Sequence, residues 1–158
     1  EDALTKLNNR RYFDDVFSKA FAQAQRLGTP LSIAISDIDN FKLVNDRFSH
    51  QMGDVVLRTV AQLMKDCVRD IDTVARYGGE EFVVLLPAAD AEGAKVVCER
   101  IRVAVEAYPW SNLHPDLEVT LSIGVSDDLG VANADRMMAL ADDNLYKAKH
   151  SGKNQVRI

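Results

Sequence analysis

The chain has 158 residues, enough for one compact domain. Apolar residues make up 47%, which is ample for a core, yet no apolar run approaches the ~18 residues of a membrane-spanning helix. A formal net charge of −5 weighs against a nucleic-acid polymer as partner but does not exclude phosphate ligands held by local basic groups.

In chain order, Asp2-Ala3-Leu4-Thr5 reads as a turn. From Arg10 to Leu27, Phe13, Val16, Phe17, Ala20, Phe21 and Ala24 recur at helical spacing, and Gly28 with Pro30 stops the helix. Leu31 to Ser36 reads as a strand that runs into Asp37-Ile38-Asp39-Asn40, a run too polar for a sheet centre. A short helix is expected near Phe41 to Phe48, and a longer one opening at Gly53 or Asp54 and reaching about Val68. Asp72 to Tyr77 and Glu81 to Leu86 read as two strands joined through Gly78-Gly79, a pair that supports φ > 0 at both central positions of a tight hairpin. Asp90 can cap a helix to about Ala107. A loop from Tyr108 to Asp116, a strand from Glu118 to Val125, a helix capped by Asn133 and a closing strand from Asn154 to Ile158 complete the order. One mixed sheet with helices on its faces is the natural packing.

Cys67 and Cys98 sit in apolar patterns without CxxC spacing and read as two buried thiols in a reducing compartment. His50, His114 and His150 are scattered, which removes a zinc site. No secretory or transit segment is visible, so a cytoplasmic domain without membrane contact is expected. The chain begins with Glu1 rather than Met and reads as a piece of a longer protein.

Acidic residues gather at two strand ends, Asp37 with Asp39 and Glu80 with Glu81. Acids beside a turn are usually solvated. Here Gly78 and Gly79 leave room for a ligand to come close, and two or three carboxylates from two strands would make a hard-oxygen cage suited to Mg²⁺ and a polyphosphate. Consecutive strand residues face opposite ways, so Glu80 and Glu81 should do different jobs.

The segment Arg76-Tyr77-Gly78-Gly79-Glu80-Glu81-Phe82 resembles the signature of the GGDEF family in its GGEEF form. Further segments resemble that family's motifs in order: Asp2-x-Leu4-Thr5-x-Leu7-x-Asn9-Arg10-Arg11, Asp37-x-Asp39-x-Phe41-Lys42-x-x-Asn45-Asp46, Gly53-Asp54, Ser122-Ile123-Gly124-Val125, and Tyr146-x-Ala148-Lys149-x-x-Gly152-Lys153-Asn154. The resemblance implies an α+β nucleotide-cyclase palm with a ferredoxin-like core. Its sheet is mixed and largely antiparallel, and residues 1–158 form a single domain downstream of a regulatory one.

It also implies a diguanylate cyclase that joins two GTP into cyclic di-GMP. Asp37, Glu80 and the Ile38 carbonyl would hold two Mg²⁺ (or Mn²⁺). Glu80 is the candidate general base, with a hydroxide on the metal as the alternative, and Glu81 is a supporting acid. Lys42, Lys149 and Lys153 would neutralise phosphates, and the amides of Asp39, Asn40 and Phe41 would bond to them. Gly78 and Gly79 would make room for the nucleotide. Asn45 and Asp54 would read guanine, because a carboxylate accepts from both N1–H and N2–H₂. Asp54 can equally be a helix cap. Two GTP must face each other, so a two-fold homodimer is implied. Arg69 and Asp72 have the RxxD spacing of the family's product-inhibition site, with Arg100 in support; an ordinary surface ion pair is the plain alternative.

Three positions depart from the family pattern: Lys6 and Ser49 stand where glycine is usual, and Lys153 replaces a frequent arginine. Two other functions stay open on sequence. One is a catalytically silent receptor for cyclic di-GMP or GTP; the other is a related cyclic dinucleotide synthase on the same palm.

Overall fold

The computed structural model describes residues 1–158. Helix α1 (Arg10–Leu27) starts where the Asn9 side chain accepts from the Tyr12 amide and ends at Gly28, whose φ of 67° is left-handed. The remaining elements are β1 (Leu31–Ile38), α2 (Phe41–Arg47), α3 (His50–Cys67), β2 (Thr73–Arg76), β3 (Glu81–Pro87), α4 (Ala91–Ala107), β4 (Leu121–Ser126), α5 (Ala134–His150) and β5 (Val156–Arg157). A single 3-10 turn, Trp110–Asn112, lies in the loop before β4.

The five strands form one sheet in the order β2-β3-β1-β4-β5, antiparallel throughout except the β4–β5 pair. This is the mixed, mostly antiparallel sheet that the resemblance implies. Its period-2 pattern feeds two cores. Ile33, Ile35, Val83 and Leu85 pack with Phe13, Phe17 and Phe21 of α1 and with Met137, Ala141 and Leu145 of α5. Ala34, Ile38, Phe82, Val84, Leu121 and Ile123 pack with α2, α3 and α4 on the opposite face. No helix is long and apolar enough to cross a membrane.

Four local expectations change. Strand β1 runs two residues past Ser36 and carries Asp37 into the sheet, opposite Glu81 on one side and Ser122 on the other. A polar residue is tolerated there because the neighbouring strand ends are polar too. Helix α3 begins at His50, three residues before Gly53, because the Ser49 hydroxyl caps it by accepting from the Met52 amide. Asp54 is therefore not a cap. The hairpin is a four-residue connection, Tyr77–Glu80, in which neither Gly78 nor Gly79 has positive φ. It closes when the Glu81 carbonyl accepts from the amides of Tyr77 and Gly78. Finally, only Cys98 is buried, and burial pushes its thiol up to about 12. Cys67 is half-buried.

Candidate active site

Strands β1 and β3 are central neighbours, and their polar ends meet at one rim of the sheet. The Ile38 amide donates to the Glu80 carbonyl at 3.2 Å, which ties the hairpin to β1 beside Asp37. Two guanidinium nitrogens of Arg76 hold the Gly79 carbonyl at 2.8 and 3.2 Å, and Arg76 also meets Asp2 at 3.3 Å. The hairpin is thus braced from behind by the chain's opening turn.

Asp37, Glu80 and Glu81 form a repelling acidic group. Each carboxyl is raised above its ordinary value, first by burial and then by neighbouring charge; for both glutamates that neighbour is Asp37. Glu81 stands directly opposite Asp37, so it shares that face of the sheet rather than pointing away from it. Its carboxylate also folds over Gly78, where an added Cβ would lie 2.8 Å from Oε1. The balancing charge is Lys149 of α5, whose ammonium lies 3.0 Å from Asp37 Oδ1 and 2.8 Å from Asp39 Oδ1. The three-carboxylate cage considered on sequence does not form: no three Asp, Glu, His or Cys side chains converge as a ready-made metal cage. The oxygens of Asp37, Glu80 and the Ile38 main chain still fit a hard divalent cation, which would relieve the repulsion.

Asp39 does different work from its neighbour. Its side chain is 1% exposed, and it accepts four hydrogen bonds. Thr120 Oγ1 and the Asn154 amide donate to Oδ2, while Ser122 Oγ and Lys149 Nζ donate to Oδ1. Burial alone would raise this carboxyl, but the bonds from Lys149, Ser122 and Thr120 outweigh it and hold it low. The Asp39 amide donates to the Thr120 carbonyl at 2.9 Å. That corrects the expectation that this amide is free for phosphate. The amides of Asn40 and Phe41 have no partner within the chain, and Asn40 itself is left-handed at φ 56°. Lys153 Nζ reaches Asn40 Oδ1 at 2.8 Å, so both C-terminal lysines gather at the β1–α2 loop. Lys42 is exposed and makes no ion pair.

Asn45 of α2 packs against Gly53 of α3, where a Cβ would fall 1.9 Å from Asn45 Oδ1. Asp54, the next residue, is exposed beside it. On the turn between α3 and β2, Arg69 forks onto Asp72 at 2.7–3.2 Å and donates to the Pro87 carbonyl at 2.8 Å. Arg100 of α4 is anchored nearby through the Cys67 carbonyl at 2.9 Å.

Sequence reasoning assigned no role to Thr120, Ser122, Asn154, Arg76 or Asp2, all of which hold the site together. Ser122 stands in a motif that carries the family resemblance, and Thr120 adds a second hydroxyl at i, i+2 beside the start of an apolar strand.

The family model for the diguanylate cyclase GGDEF domain matches residues 1–155. The diguanylate cyclase DosC of Escherichia coli (strain K12) is 42% identical over 158 residues, spanning 99% of this chain and 34% of that protein. The chain thus spans about a third of the length of the curated relatives it matches. Among solved structures, the GGDEF domain of DgcB from Caulobacter crescentus in complex with c-di-GMP aligns with TM-score 0.92 and 37% identity, over 99% of this chain and 93% of that one. The active GGEEF domain of a diguanylate cyclase from Vibrio cholerae aligns with TM-score 0.91 and 38% identity, over 97% of each chain. Motif order, sheet topology and these likenesses agree, and the chain belongs to the GGDEF-domain family of diguanylate cyclases.

Proposed function

We propose that this domain condenses two GTP into cyclic di-GMP. The observation that carries the reading is the meeting of Asp37, Glu80 and Lys149 beside the two unpartnered amides of Asn40 and Phe41. Asp37, Glu80 and the Ile38 carbonyl would hold Mg²⁺ or Mn²⁺, which when bound neutralises the triphosphate. Lys149 and Lys153 flank the phosphates, and the free amides donate to them. Lys42 is solvent-facing and free to reach the same anion.

Each 3′-oxygen forms a bond to the partner nucleotide's α-phosphorus, the α–β bridging P–O bond breaks, and pyrophosphate leaves. Glu80 takes the hydroxyl proton, a role suited to a carboxyl raised by burial. Glu81, facing Asp37, keeps the acidic cluster electrostatically poised. Gly78 and Gly79 leave the rim open to the nucleotide. Asn45 and Asp54 read the guanine edge, which disfavours ATP by ~1–3 kcal/mol. Because one domain holds one GTP, catalysis needs a homodimer. Arg69, Asp72 and Arg100 bind the product and restrain turnover. In the full-length protein an upstream regulatory domain would set the dimer.

Mass analysis of products from domain, GTP and Mg²⁺ at increasing domain concentration tests this. Cyclic di-GMP with pyrophosphate, formed at a rate rising more steeply than linearly with domain, is the expected outcome. No turnover at high concentration, with dinucleotide binding retained, points instead to a receptor.

A further inference from the structure

The chain's longest left-handed run lies just after α5. Gly152, Lys153 and Asn154 have φ of 110°, 60° and 45° in succession. Glycine takes such angles freely and asparagine tolerates them, but lysine rarely adopts them. A strained backbone of this kind persists only where its surroundings over-determine it. Here the main chain supplies two of the restraints. The Lys153 amide donates to the Ala148 carbonyl at 3.0 Å, and the Asn154 amide donates to Asp39 Oδ2 at 3.0 Å.

The Asn154 side chain supplies the others, and it is held from α4. Its Oδ1 accepts from an Arg102 guanidinium nitrogen at 2.9 Å, and its Nδ2 donates to Glu106. The Arg102 side chain is 17% exposed and is itself fixed, because Nε and a second guanidinium nitrogen fork onto Glu99 at 2.9–3.2 Å. Glu106 lies 3.8 Å from the same nitrogen that meets Asn154. One cation between two acids gives this group a net negative charge, so Arg102 does not itself draw a polyphosphate. Its planar fork is what matters: it meets Glu99 on one side and Asn154 on the other, a geometry that a point-charge ammonium does not reproduce.

We propose that Arg102 and Glu106 are positioning residues that act through Asn154 to hold Lys153 at the phosphate site. The inference rests on the reading of Lys153 as a phosphate ligand. Lys153 carries a point charge on a flexible stem, so the place of its Cα decides which oxygens it can reach. Its Nζ stands 2.8 Å from Asn40 Oδ1, at the loop with the two unpartnered amides. With the grip on Asn154 released, the run can relax to ordinary angles and carry the ammonium away from that loop.

Calorimetric titration with Mg²⁺ and α,β-methylene-GTP, which cannot be cleaved at the α–β bridge, tests this without turnover. The variants are Lys153→Ala, Arg102→Gln, Asn154→Gly, and each of the latter two combined with Lys153→Ala. Asn154→Gly keeps the main-chain bond to Asp39 and suits a left-handed position, so it should melt close to the parent chain while losing the grip. Lys153→Ala should weaken binding about tenfold, the loss of one charged phosphate contact. Arg102→Gln and Asn154→Gly should each weaken it about fivefold, and should add nothing in the Lys153→Ala background because they act through that lysine. Unchanged affinity in Lys153→Ala overturns the phosphate reading of that lysine and the proposal with it. Binding lost in Lys153→Ala but kept in Arg102→Gln and Asn154→Gly overturns the proposal alone. Losses that add fully in the double variants also overturn it, since they mark a general loosening of the fold rather than control of Lys153.

Discussion

Asp39 and Asp37 are two residues apart, and their surroundings give them opposite tasks. Asp37 is raised and half-open toward the acids of the hairpin; Asp39 is sealed and fully hydrogen-bonded. Asp39→Asn keeps the shape but offers one acceptor oxygen where four donors converge, and its amide would confront an N–H or hydroxyl donor. Denaturant unfolding should show a loss of about 2–4 kcal/mol, in the range for breaking a buried, hydrogen-bonded charge pair. The meeting of Asp37 with the hairpin acids is legible in the sequence because each acid pair stands in a short local motif at a strand end. The role of Asp39 is not, because Thr120 and Asn154 lie 81 and 115 residues away and an acid beside a turn looks solvated.

At the scale of elements, two glycines set how closely helices sit. A Cβ on Gly124 of β4 would fall 2.2 Å from both the Ala141 carbonyl oxygen and the Leu145 nitrogen of α5. These are backbone atoms and cannot rotate away. Gly124→Ala should lift α5, draw Lys149 off Asp37, and cost about 2 kcal/mol or more in thermal or denaturant melts. A Cβ on Gly53 would meet two side chains and no backbone: Asn45, which can turn aside, and the ring of Phe41 at 3.2 Å, which must give slightly. Gly53→Ala should cost less stability than Gly124→Ala, and if Asn45 reads guanine, KM for GTP should rise about tenfold in steady-state assays. Element order and the helix ends at Gly28, Asp90 and Asn133 are legible because these residues act locally. The earlier start of α3 was hidden because Ser49 competes with Gly53 and Asp54 as a start signal. Strand order β2-β3-β1-β4-β5 depends on pairings between distant segments, which local pattern does not report.

For the molecule as a whole, the acidic rim sets a pH dependence. Asp37, Glu80 and Glu81 are raised from ordinary values of 3.8, 4.5 and 4.5, so the folded chain holds their protons more tightly than the unfolded chain. Their contribution to stability is present below those values and is lost as pH rises through the raised ones. Asp39 has the opposite sign: its contribution is present above 3.8 and is lost as pH falls through its lowered value. In melts with chelator, the domain should lose stability as pH rises from about 4.5, at a slope reduced in Asp37→Asn. If a metal is held at the rim, added Mg²⁺ should recover it, since a cation favours the ionised carboxylates. A melt insensitive to Mg²⁺ at neutral pH would count against a metal at Asp37 and Glu80.

Gly79 has ordinary backbone angles, and nothing lies within 4 Å of where its Cβ would stand. Folding therefore places no demand for glycine at this position. Glycine even widens the unfolded ensemble, so Gly79→Ala should raise the melting stability by ~0.4–1 kcal/mol. If the nucleotide occupies the space beside the hairpin, the same variant should lose turnover. A gain in one quantity with a loss in the other would mark Gly79 as an entropic concession of the fold, retained for a visitor rather than for the chain itself.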